Sequence, residues 1–217
     1  MLVKQQKVAF VVENTSTPAP GTIRPGGRTS RVRAAVLDAT LGVLAEHGYA
    51  GLSIERIAEQ SGVNRSTIYR RWQNKQAVLA TAVEEMLADV FPIPATGSID
   101  KDLRLFGRAV VDLLTNDSPR VAGAVHALFS DAARETPIAE LKRNLFARRY
   151  QMAANMVDSA IKRGELTAGV EVRELVGMVA APIYYRKLVT EEPLDYAVAD
   201  RAAATALIAV RAGACRR

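Results

Sequence analysis

Between Glu59 and Glu84 the chain carries no acid, yet Arg65, Arg70, Arg71 and Lys75 all fall in that gap. They are interleaved with Ser66, Thr67, Tyr69 and Gln73. Guanidinium, ammonium, hydroxyl and amide groups set this closely, with no carboxylate among them, suit phosphates and the edges of bases. The charge distribution points the same way. Residues 1–80 hold eleven Lys/Arg against five Asp/Glu, whereas residues 81–217 hold eighteen of each, so the net +6 lies wholly in the first 80 residues. A basic module joined to a neutral one suggests that one part faces a polyanion and the other does something else. On charge alone, a solvated basic face with no partner is the alternative.

Other chemistry is sparse. A single cysteine, Cys215, excludes a disulfide framework and a multi-cysteine zinc site. Two histidines, His47 and His126, exclude a three-histidine metal site. There is no phosphate-binding glycine loop, no H-E-x-x-H and no G-x-S-x-G. Neither catalysis, a cofactor nor a metal is expected. No apolar run approaches the roughly 18 residues of a transmembrane helix. Val8–Val12, after Lys4 and Lys7, is shorter than a signal-peptide core, so a cytoplasmic protein is expected.

The elements that position the basic cluster follow from periodicity and punctuation. Residues 1–27 read as a flexible basic arm, rich in proline, glycine and hydroxyl residues from Asn14 onward. Val32, Val36, Ala39, Val43 and Leu44 then mark a first helix that ends at His47-Gly48. Ser53 caps a second helix, whose inward face is Ile54, Ile57 and Ala58. Ser61-Gly62-Val63 makes a tight turn, Asn64 caps a third helix, Arg65 to Trp72, and Asn74 caps a fourth. Two helices joined by a short glycine turn form a helix-turn-helix, which sets its second helix in the major groove. On a wheel of about 100° per residue, Ile68 and Trp72 share the inward face of the third helix, with Ser66 and Arg70 opposite.

These pieces resemble the DNA-binding domain of the tetracycline-repressor-like (TetR) family. The resemblance rests on Gly48-Tyr-Ala-Gly-Leu-Ser-Ile, Ile57-Ala-Glu-Gln-Ser-Gly-Val and Thr67-Ile-Tyr-Arg-Arg-Trp-Gln-Asn-Lys75. Trp72 stands where the family more often has Phe, and Arg71 where it has His or Tyr. The resemblance implies that Arg65, Ser66 and Arg70 read bases. It also implies that Ser53, Thr67, Tyr69 and Lys75 hold phosphates, with Arg71 beside them in the DNA-binding set. It further implies a homodimer, a small-molecule pocket in the C-terminal half, and repression relieved by ligand. Activation, or non-specific DNA binding by the same fold, stays open as an alternative.

The composition changes after Phe91-Pro92-Ile93-Pro94, and five further helices are expected near 99–115, 119–133, 137–163, 172–190 and 195–212. The fold class is all-α, with about nine helices. It divides into the arm, a helix-turn-helix domain over 28–80, and a helical ligand-binding and dimerisation domain over 81–217. Arg163-Gly-Glu-Leu166, Ala181-Pro-Ile-Tyr-Tyr-Arg186 and Glu192-Pro-Leu-Asp195 resemble a common C-terminal subtype of the family. Met86, Phe106, His126, Phe129, Met152, Met156, Tyr184 and Tyr185 are the expected ligand contacts, around a kink at Pro182. That set suits a mostly apolar or aromatic molecule. The alanines of the last helix, from Ala197 to Ala209, suggest a dimer contact through the last two helices.

Overall fold

The computed structural model describes residues 27–130 and 136–215, and the expected basic arm with Arg24 lies outside them. Nine helices and no strand occur among the described residues. They are α1 (Gly27–Gly51), α2 (Ile54–Ser61), α3 (Arg65–Arg71), α4 (Lys75–Val90), α5 (Ile99–Leu114), α6 (Pro119–Phe129), α7 (Thr136–Lys162), α8 (Val172–Leu188) and α9 (Tyr196–Arg211).

The helix starts follow local capping chemistry. The side chains of Ser53, Asn64, Asn74 and Asp195 each accept from a free backbone amide of the helix that follows. Each such cap is worth about 0.5–2 kcal/mol. α1 breaks at Gly48, whose φ of 63° is left-handed, and only a short turn continues to Gly51. Gly62, at φ 67°, makes the corner between α2 and α3 in the same way.

Val36, Leu52, Ile57, Ile68 and Val78 form the dry centre of the first four helices. The Trp72 indole closes its edge, donating from Nε1 to the Thr81 hydroxyl at 3.1 Å. α4 runs unbroken through the expected boundary at residue 80 and carries Met86 and Leu87 into the second half of the molecule. α1 reaches across as well: at Gly123 of α6 a Cβ would lie 2.7 Å from the Cα of Ala45. Arg120 pairs with Asp38 at 2.8 Å beside that crossing.

In the second half, α5, α8 and α9 make a tight block. A Cβ on Gly107 would meet Val179 Cγ1 at 3.1 Å and Ala199 Cβ at 3.2 Å. Four of the α9 alanines are occupied inside the monomer. Ala199, Ala202, Ala203 and Ala206 are buried within the monomer, where small side chains let α9 lie close to α5 and α8. Leu207 and Val210 are buried too, whereas Ile208 points outward at 71% exposure. The three C-terminal motif pieces act as braces. Arg163 Nε holds Glu165 at 2.5 Å, and the other oxygen of that carboxylate accepts from the amide of Ile99 at the start of α5. Arg186, in the second piece, pairs with Glu192 of the third at 2.9 Å.

Candidate nucleic-acid interface and ligand cavity

α3 presents two faces. Ile68 and Trp72 are buried, while Arg65, Ser66, Tyr69 and Arg70 are exposed. Arg70 makes no ion pair or hydrogen bond among the described residues and stands free for a partner. Arg65 is held only loosely, 3.9 Å from Glu55. The Ser66 hydroxyl donates to the Asn64 side chain at 3.0 Å, which fixes it beside the helix start. Thr67 is half-buried and faces the cleft between α3 and α1.

Arg71 is turned toward α1. It donates to the carbonyl of Thr29 at 3.4 Å and stacks 5.5 Å from the centre of the Trp72 ring. Lys75 is the most firmly placed cation of the group. Its ammonium donates to the Leu52 carbonyl at 3.0 Å and lies 4.7 Å over the Tyr49 ring. An ammonium has three donors, so this seat leaves others free beside the N-terminus of α2, where Ser53 sits. Arg56 was missed in the sequence. It donates to the Gly51 carbonyl at 2.7 Å and adds a cation to the same corner. A row of cations and hydroxyls over one convex helix, with backbone amides at two helix starts, is geometry that fits a groove of nucleic acid and its phosphates.

The second half holds an apolar cavity in two lobes that share Phe91, Phe146, Arg149 and Tyr184. Met86 and Phe129 line one lobe and Phe106 lines the other. The remaining expected ligand contacts lie elsewhere. Met152 and Tyr185 are exposed, and His126 faces an outer groove beside Lys187. Met156 is buried but lines neither lobe. Pro182 does not open this cavity. It sits inside an unbroken α8 and faces outward, on the groove shared with α9. The lobes have free volumes of about 30 and 60 Å³, enough for a few waters and well below a drug-sized site. Burial pushes the Tyr184 phenol up to about 12, so it is a neutral donor at ordinary pH. Phe146, Arg149, Tyr150 and Ala153 went unnoticed as lining residues, although their spacing along α7 is that of one helix face.

Residues 36–82 match the family of bacterial regulatory proteins, tetR family, and residues 93–206 match the tetracyclin repressor-like C-terminal domain. The chain belongs to the TetR family of transcriptional regulators. Its relatives include the uncharacterized HTH-type transcriptional regulator YdeS of Bacillus subtilis, 29% identical over 74% of this chain and 80% of the relative. The DNA-binding transcriptional repressor TetR of Mycobacteroides abscessus is 30% identical over 77% of this chain and 87% of the relative. Among solved structures, the TetR family transcription regulator SCO0332 is 30% identical, with a TM-score of 0.66 over 83% of this chain and 98% of that one. FadR of Bacillus subtilis, solved in complex with stearoyl-CoA, shares the fold at 18% identity and a TM-score of 0.56 over 83% of this chain and 98% of that one. The helix-turn-helix is thus a DNA-binding element of a transcriptional regulator. No helix among the described residues is long and apolar enough to cross a membrane.

Proposed function

We propose that this TetR-family protein is a homodimeric repressor that reads one operator with α3 and leaves it when a mostly apolar small molecule occupies the cavity. The carrying observation is the split of α3 into a buried Ile68–Trp72 face and an exposed face led by Arg70, which has no partner among the described residues. In this reading Arg65, Ser66 and Arg70 contact bases. Ser53, Thr67, Tyr69 and Lys75 hold phosphates, and Arg71 braces α3 on α1 from a position at the edge of the interface. Repression is the sign carried by the name of the relative from Mycobacteroides abscessus. A regulator of this kind works beside the chromosome, in the cytoplasm.

The dimer is assigned to α8 and α9, whose outward faces expose Tyr185, Leu188 and Ile208. Two reading heads related by a two-fold axis would meet half-sites about one helical turn, or a multiple of it, apart. α4 joins the two activities, since Lys75 lies at one end and Met86, Leu87 and Phe91 line the cavity at the other. A ligand that binds the DNA-incompetent arrangement better by about 1–3 kcal/mol would weaken operator binding some 5- to 150-fold. Selection of duplexes from a random-sequence pool, followed by footprinting, tests the reading. One short protected inverted repeat is expected, and uniform protection of unrelated duplexes would contradict it. Light scattering at micromolar concentration should give the mass of a dimer, and a monomer would remove the two-fold arrangement.

A further inference from the structure

The cavity between α4, α5, α6, α7 and α8 contains a cation that its described walls do not neutralise. Arg149 lines both lobes, and among the described residues no Asp or Glu lines either. The guanidinium lies 4.1 Å over the Phe91 ring, and one Nη donates to the Phe91 carbonyl. Its Nε is buried with no hydrogen-bond partner. None of the ion pairs among the described residues includes it, whereas its neighbour Arg148 is paired with Glu84 at 2.6 Å. Burial lowers the guanidinium to about 10, which leaves it charged at neutral pH. A buried, charged group with an unmet donor is costly unless something supplies the missing acceptor.

We infer that the cavity ligand is an apolar carboxylic acid whose carboxylate pairs with Arg149 while its hydrocarbon body parts the side chains of Phe91, Phe146 and Tyr184, which in this structure leave room for only a few waters. The inference rests on the cavity being the ligand site. Arg presents a planar fork that meets a carboxylate through two parallel hydrogen bonds, and the idle Nε is one prong of it. Among the described residues the lining offers a single cation, which matches a single negative charge better than a phosphate dianion. The aromatic chain around it favours a flat or flexible hydrocarbon body, with Phe91 and Phe106 at 5.3 Å and Phe129 and Tyr184 at 5.2 Å. Phe91 is also the residue that ends α4. A carboxylate that draws the guanidinium away from the Phe91 carbonyl would loosen the end of the helix whose other end seats Lys75. Charge recognition and the response of the reading head would then share one side chain.

The test uses matched probes on the full chain: 2-naphthoate against 2-naphthamide, and decanoate against decanamide, by calorimetry and thermal shift. Each acid should bind about 10- to 100-fold tighter than its amide, the range of a hydrogen bond to a charged group. Arg149→Met should abolish that preference while the protein stays folded, because it replaces an unpaired buried cation with a side chain of similar length. Arg149→Lys should keep part of it. Absence of any acid preference in the wild type, including no binding by any probe, would overturn the inference. So would an undiminished preference in Arg149→Met. Operator affinity is measured separately on the same samples. Acids that bind through Arg149 but leave the operator complex intact would preserve this inference and refute release by ligand. Release by the amides alone would do the reverse.

Discussion

Lys75 and Arg149 stand at opposite ends of α4 and are seated alike. Each donates to a backbone carbonyl, Leu52 in one case and Phe91 in the other, and each lies over an aromatic ring, Tyr49 or Phe91. Their surroundings differ. Lys75 is half-buried at the edge of a convex, solvent-facing surface beside Ser53 and Arg56. Arg149 faces a narrow apolar cavity in which, among the described residues, the charged side chain is its own. A carbonyl and a ring can orient a cation without neutralising it, and the space in front then selects the anion. Open space with more cations nearby suits a polymer of phosphates. A narrow apolar space with one cation suits one small charged group on an apolar body.

The two regions should respond differently when their cores are cut, and this gives the largest predicted effect. Ile68 is fully buried in the small module formed by α1 to α4. Ile68→Ala should cost about 2–5 kcal/mol of stability. Denaturation followed by circular dichroism should show the loss, together with loss of operator binding. Equal stability to the wild type would mean that α3 is not held by its inward face. A smaller effect is expected at the seam. Gly123→Ala places a methyl 2.7 Å from the Cα of Ala45, so backbone must move, at about 1–3 kcal/mol. If the reading head and the cavity module communicate through this seam as well as through α4, the variant should also change how far ligand weakens operator binding. Unchanged stability and coupling would leave α4 as the sole connection. The smallest effect should come from Lys75→Ala. Removing one phosphate contact should weaken all duplexes about equally and reduce the slope of log K against log salt by about 0.9. A change confined to one operator sequence would mean that Lys75 reads bases.

The legible parts of the molecule were those governed by neighbours in sequence. Ser53, Asn64 and Asn74 could be assigned as caps because capping joins residues two or three apart. The inward setting of Ile68 and Trp72 followed from helical period alone. The misread parts depended on distant partners. The alanines of α9 indicate that something packs closely, but not what; for Ala199 the neighbour is Gly107 of the same chain. Pro182 has a local consequence for hydrogen bonding but no local sign of which way it faces. Arg149 was hidden because an arginine in a helix reads as solvated, and only the apolar neighbours Phe146, Tyr150 and Ala153 at helical spacing hinted otherwise. The residue types of Met152 and Tyr185 suit a pocket, but each lies on an exposed helix face.

The most direct test of the central claim, that α3 reads sequence through its exposed face, is the ratio of affinities for the selected operator and for random duplex, measured for the wild type and Arg70→Ala at one salt concentration. The ratio should fall by the equivalent of about 1–3 kcal/mol, with specificity relaxed at one base pair of each half-site. An unchanged ratio would mean that the exposed face of α3 does not read the operator.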